Sequence, residues 1–232
     1  VTGFGKGDSV VCEITPNDGE DDGEPITSAT LSIGNTAPTA PSIVIAPESP
    51  LTGDDLVVSV TAPSSDVDED EVTYRYSWAV DGVDASLAAE TVPSARTAKG
   101  ETWTVTVTPN DGDDDGTAVT SNTVTIGNTA PVLASVTLGP GTAYETTTLT
   151  CVPGATSDAD GDTVTTSFAW EVDGTPVTGA TGNTLTGSDF NKGDSVTCVV
   201  TPNDGTTDGT AVTSNAVIIN NSDPVLATVS LL

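Results

Sequence analysis

The chain has 232 residues, too many for one small module and enough for two or three, so length alone leaves the domain count open. Its 34 Asp and Glu against 5 Lys and Arg, a formal charge of −29 with no His, exclude a nucleic-acid-binding surface, disfavour anionic membranes and make cations the natural partners. The lack of His also removes any imidazole base or zinc–imidazole site, and no apolar run approaches the roughly 18 residues of a spanning helix.

Taken in chain order, the elements announce a repeat. Lys6-Gly7 precedes an alternating run, Val10, Cys12 and Ile14, and then the string Thr-Pro-Asn-Asp-Gly around Pro16. That string returns around Pro109 and Pro202, an offset of 93 both times. Lys99-Gly100 and Lys192-Gly193 keep the same spacing, as do the junctions Asn35-Thr36-Ala37-Pro38, Asn128-Thr129-Ala130-Pro131 and Asn221-Ser222-Asp223-Pro224. Earlier in the repeat the offset falls to 92, relating Trp78 to Trp170 and Asp66-Val67-Asp68-Glu69-Asp70 to Asp158-Ala159-Asp160-Gly161-Asp162. One residue is therefore expected to have been gained or lost in a connection between the Trp and Lys-Gly. The boundaries that follow are 1–36, the last third of one repeat; 37–129 and 130–222, two complete repeats; and 223–232, the first strand of the next. The chain starts without Met and carries no signal peptide, and the expectation is a mature or excised piece of a polypeptide that continues in both directions. Exchange of strands between chains is the alternative.

Each repeat reads as strands. Period-2 alternation places Trp103, Val105 and Val107, like Val196, Cys198 and Val200, on one buried face, with mostly Thr, Ser or Glu between them. The mid-repeat strands alternate likewise, Tyr74, Tyr76, Trp78, Val80 and Thr166, Phe168, Trp170, Val172. Each ends in Val-Asp-Gly, and Asp81-Gly82 and Asp173-Gly174 suit two-residue hairpins in which both turn positions need positive φ. Opening strands (Ile43, Ile45; Val136, Leu138; Val229, Leu231) and closing strands (Leu31, Ile33; Val124, Ile126; Val217, Ile219) complete the core. No stretch has helix-period apolar spacing, so the fold class is all-β. The 93-residue period accommodates about seven short strands in a Greek-key β-sandwich.

The order of Cys151 on the second strand, Trp170 on the third and Cys198 on the sixth resembles immunoglobulin domains, whose two sheets are pinned across a buried Trp. That resemblance implies a Cys151–Cys198 disulfide, which over roughly 50 residues would stabilise by about 4 kcal/mol in the chain-entropy model; two buried thiols are the other reading. A bridge implies an oxidising, extracellular setting. Cys12 occupies the position of Cys198, so its partner is expected upstream of residue 1, and in the middle repeat the two positions read as Ser59 and Val105.

Two acidic connections recur. One puts Asp66, Asp68 and Asp70, or Asp158, Asp160 and Asp162, at alternate positions before the Trp strand, a pattern that converges carboxylates on one hard cation. The other follows Thr-Pro, with Asn110, Asp111, Asp113, Asp114 and Asp115, or Asn203, Asp204 and Asp208. In a sandwich both lie at the same end. On Ser-Asp-Ala-Asp-Gly-Asp, Thr-Pro-Asn-Asp-Gly and the Asn-Thr-Ala-Pro junctions, the chain resembles cadherin-like bacterial immunoglobulin-like repeats, including those of the polycystic-kidney-disease type. The resemblance implies Ca²⁺ between adjacent domains, held by Asn35 with Asp66, Asp68 and Asp111, and by Asn128 with Asp158, Asp160 and Asp204; Asp70 and Asp162 complete the alternating triads. The family's Asp-Arg-Glu loop is missing, and Glu101 and Asp194 are the available substitutes. The bland reading is Asx-rich turns that only cap backbone groups.

These features together lead to an expectation of a non-catalytic extracellular array forming a fibre, stalk or filament, its partners being neighbouring repeats of the same chain and other copies. An adhesin or carbohydrate-binding repeat, recognising surface glycans or proteins, is the alternative; it needs an exposed aromatic platform from Trp103, Tyr144 or Phe190. Neither nucleic acid nor membrane insertion of this segment is expected. Asn220-Asn221-Ser222 is a glycosylation sequon.

Overall fold

The computed structural model describes residues 3–225 and divides into two compact units, Val1–Gly127 and Asn128–Leu232. The expected strand at 223–232, with Val229 and Leu231, lies almost wholly outside the described residues. The fold is all-β, with one short 3₁₀ turn, Ser94–Arg96, among the described residues.

In the first unit the partial repeat supplies β1 (Ser9–Val10), β2 (Glu13–Ile14), β3 (Ile26–Thr27) and β4 (Leu31–Ser32). The complete repeat follows with β5 (Ser42–Ala46), β6 (Leu56–Ala62), β7 (Thr73–Val80), β8 (Val83–Asp84), β9 (Thr91–Val92), β10 (Thr102–Asn110), β11 (Val119–Thr120) and β12 (Val124–Thr125). It forms two sheets. One has the order β5-β6-β9; the other runs β11-β10-β7-β8, with β12 also on β10. That is the seven-strand sandwich the alternation calls for, its last strand broken into β11 and β12.

The second unit repeats the plan with β13 (Val132–Leu133), β14 (Val136–Gly139), β15 (Ala143–Tyr144), β16 (Leu149–Pro153), β17 (Thr156–Ser157), β18 (Thr165–Val172), β19 (Thr175–Pro176), β20 (Thr184–Leu185), β21 (Ser195–Asn203), β22 (Val212–Thr213) and β23 (Val217–Asn220). One sheet is β14-β16-β20, and the other joins β15, β23, β21, β18 and β19. The opening segment switches sheets, because β15 pairs in parallel with β23 after β14 has paired antiparallel with β16.

Register explains why the alternation is so clean. Trp78 lies opposite Val105, and Trp170 opposite Cys198, so each Trp is buried at the centre of its module. Their indole N–H groups donate to the carbonyls of Ala89 and Gly182, so both buried donors are satisfied. The hairpin after each Trp strand has positive φ at Asp81, Gly82, Asp173 and Gly174, as a tight turn matched to strand twist requires. Cys151 and Cys198 are joined in a disulfide across the sheets, over a sequence separation of 47.

Two sequence expectations need correction. The residue facing Val105 from the opposite sheet is Val58, not Ser59: Val58 pairs with Ile45 as Cys151 pairs with Leu138, and it is buried while Ser59 turns outward. A register error of one residue exchanges the two faces of a strand. The offset is in fact 93 at this strand, since Leu56 pairs with Val92 as Leu149 pairs with Leu185. The second repeat is therefore one residue shorter just before its Asp158 loop and one longer in the connection after Val177. There are two compensating changes rather than one.

Of the aromatics, Trp103 and Phe190 are core residues and Tyr144 is 42% exposed. Trp103 packs edge-on against Trp78, with centroids 6.3 Å apart. Val196 stands in its place in the second repeat, and Phe190 stands where the first repeat has Thr97.

The partial repeat keeps the pairing of the complete ones, Val10 with Leu31 and Ile14 with Ile26, and no second sheet covers it among the described residues. Ile14, Ile26 and Leu31, which correspond to the buried Val107, the half-buried Val119 and the buried Val124, are 66%, 74% and 63% exposed. Cys12 is a free, exposed thiol.

Candidate metal centre

The two acidic connections come together at one end of each complete repeat, and local hydrogen bonding shapes both. In the first loop Asp66 Oδ1 accepts the N–H groups of Asp68 and Asp70 at 2.8 and 3.4 Å. Asp158 Oδ1 does the same for Asp160 and Asp162 at 2.8 and 3.1 Å. This curls the loop so that alternate carboxylates turn inward. Asp66, Asp68 and Asp70 each place an oxygen within 4.8 Å of the others', and Asp158, Asp160 and Asp162 form an equal triad. The curl needs positive φ one residue before its end; Gly161 meets that freely, whereas Glu69 adopts φ 66° despite its Cβ.

The second connection is an Asx turn. Asp111 Oδ1 accepts the N–H of Asp113 and Asp114 at 2.8 and 2.7 Å, and Asp204 Oδ1 those of Thr206 and Thr207 at 2.6 Å. Asn110 and Asn203 brace the turn by donating to Asp115 and Asp208. The capping reading of these acids is thus correct for one oxygen of each.

Their other oxygens face the linker. Asn35 Nδ2 donates to Asp111 Oδ2 and Asp114 Oδ2, both at 2.9 Å, and the Thr36 N–H to Asp68 Oδ2 at 2.7 Å. In the second unit Asn128 Nδ2 donates to Asp204 Oδ2 at 2.8 Å, and the Thr129 N–H to Asp160 Oδ2 at 2.7 Å. Asp111 and Asp204, each 8% exposed, stand outside the triads and anchor the linker Asn.

After these bonds, some inward oxygens have no hydrogen-bond partner and no solvent contact. They are Asn35 Oδ1 and Asp66 Oδ2 in the first unit, and Asp158 Oδ2 and Asp160 Oδ1 in the second. Desolvated acceptors without a donor are costly, and carboxylates the more so. These are oxygens of the kind a hard cation could coordinate, since Ca²⁺ takes carboxylate and amide oxygens in flexible geometry.

The charge is partly countered by side chains. Lys6 Nζ lies 2.7 Å from Asp70 Oδ2 and 2.5 Å from Asp113 Oδ2, and Arg75 pairs with Asp115. The N–H of Asp114, the Asn35 amide, the N–H of Asp113 and the charge of Lys6 lower the Asp111 carboxyl to about 2. The Asn110 amide and then Arg75 lower Asp115. In the sequence Lys6-Gly7 shows only its periodic recurrence at Lys99-Gly100 and Lys192-Gly193, which gives no hint of this role. Glu101 and Asp194 serve their own turns instead, accepting the N–H of Ala98 and Asn191, and Glu101 also the indole N–H of Trp103.

No family model and no curated protein matches the chain. Among solved structures it is similar to the chicken CNTN1 FN1–FN3 domains, at 11% identity over 85% of this chain and 74% of that one, with a TM-score of 0.33. It is also similar to a two-domain fibronectin type-III segment from chicken tenascin, at 11% identity over 79% of this chain and 99% of that one, with a TM-score of 0.39.

Proposed function

We propose that this chain is a segment of a non-catalytic extracellular repeat array, a fibre, stalk or filament, whose junctions are stiffened by Ca²⁺. One observation carries the reading. The Asn35-Thr36 linker is tied to Asp111, Asp114 and Asp68 of the following module, while Asn35 Oδ1 and Asp66 Oδ2 remain buried and unpartnered beside a carboxylate triad. A cation at Asp66, Asp68 and Asp70, with Asn35 Oδ1 as a further candidate ligand, would join the end of one module to the start of the next. It also removes the mutual repulsion of those acids. The second unit carries an equal triad, Asp158, Asp160 and Asp162, beside its own Asn128-Thr129 segment. Disulfide formation at Cys151–Cys198 agrees with an oxidising setting outside the cell.

Calorimetric melting with and without Ca²⁺ tests this. At a hundredfold excess over the dissociation constant the stabilisation is about 2.7 kcal/mol, a rise of roughly 10–20 °C for a module of this size. Asp66→Asn with Asp68→Asn should remove the rise from the first unit only. An unchanged midpoint at millimolar Ca²⁺ would sink the metal reading. Compact, unassociated particles of the natural polypeptide in negative stain would sink the fibre reading.

A further inference from the structure

Lys6 belongs to the partial repeat, yet its ammonium group sits among the carboxylates of the next module. The turn that carries it is fixed to its own module: Gly5 N–H donates to Asp8 Oδ2 at 2.9 Å, Asp8 N–H to the Gly5 carbonyl at 3.1 Å, and Gly7 N–H to the Ile33 carbonyl at 2.9 Å. From that base the flexible lysine stem reaches Asp70, a member of the triad, and Asp113, on the neighbouring Asx turn. Lys6 and Asp70 are about a third exposed and Asp113 more so, so withdrawal of the side chain into water needs no backbone rearrangement. In the second unit Thr206 stands where the first has Asp113.

A divalent cation bound to Asp66, Asp68 and Asp70 draws on the carboxylate that Lys6 uses, and the two positive charges repel at that range. We propose that Lys6 is the resident counter-cation of the first junction and that it and a divalent cation are alternative partners of Asp70. Loading the triad then releases the lysine, and the junction passes from an ammonium-latched to a metal-clamped state. This rests on the reading that the triad takes a cation. Since coupling between two ligands is reciprocal, abolishing the lysine charge must tighten cation binding by the factor with which the cation loosens the lysine.

The test uses the whole chain carrying Asp158→Asn and Asp160→Asn, so that the first junction alone titrates. Calcium chloride is titrated calorimetrically into this chain and into the same chain with Lys6→Gln or Lys6→Arg. In parallel, acetylation of Lys6 by acetic anhydride is followed by peptide mass spectrometry with and without Ca²⁺. The expected results are at least about fivefold tighter binding for Lys6→Gln, little change for Lys6→Arg, and faster acetylation of Lys6 once Ca²⁺ is bound. Equal or weaker binding by Lys6→Gln, or acetylation indifferent to a Ca²⁺ that demonstrably binds, overturns the latch and leaves the triad reading standing. An absence of binding heat in every variant overturns the triad reading, and the latch falls with it.

Discussion

At the scale of single residues, Asp111 shows how a buried carboxylate is put to structural use. One oxygen holds its own turn and the other holds Asn35, and these bonds together depress its carboxyl to about 2. A carboxyl lowered in the folded state contributes stability that is complete above its unfolded value of roughly 3.9 and is lost as pH falls through the folded one. The stability difference between the natural chain and Asp111→Asn is therefore expected to be constant above about pH 5 and to close between about pH 4 and pH 2. Urea midpoints of the first unit at stepped pH measure it. Protonation of the surplus surface acids shifts both chains alike, so the difference isolates Asp111; a gap that persists unchanged at pH 2 would contradict the assignment.

At the scale of elements, the strands were largely legible because burial imposes a period of two, as at Trp103, Val105, Val107 and at Val196, Cys198, Val200. The hairpins were legible because Asp-Gly meets a backbone demand that few dipeptides meet. The register of β6 was not. The 92-residue offset at Trp78 does not extend back to this strand, and the two compensating length changes lie in loops whose composition does not betray them. The position matters for engineering. Val58 and Val105 occupy the sites of Cys151 and Cys198, so Val58→Cys with Val105→Cys is expected to close a bridge, adding about 2–4 kcal/mol. Ser59→Cys with Val105→Cys should stay reduced, because Ser59 points away from the opposing sheet. Non-reducing mass spectrometry with thiol counting decides between them. The role of Lys6 was equally invisible, since its partner Asp70 is 64 residues distant and no local pattern connects them.

For the molecule as a whole, the two complete repeats share one plan but are secured differently, the first by Trp78 stacked edge-on with Trp103 and the second by a covalent bridge. Reduction should therefore lower the stability of the second unit by about 2–5 kcal/mol and leave the first unchanged. Hydrogen exchange read separately at β10 and β21 resolves this, and equal loss in both would refute the division. The bridge has a mechanical corollary as well. If the chain is pulled from its two ends, the 47-residue separation between Cys151 and Cys198 is bypassed by the sulfur link. That withholds roughly 160 Å of contour length at about 3.4 Å per residue, so this repeat pays out about half the slack of its cysteine-free neighbour when it ruptures. An oxidised array would thus yield in short steps and long steps, its extensibility set repeat by repeat according to which modules carry the cysteine pair.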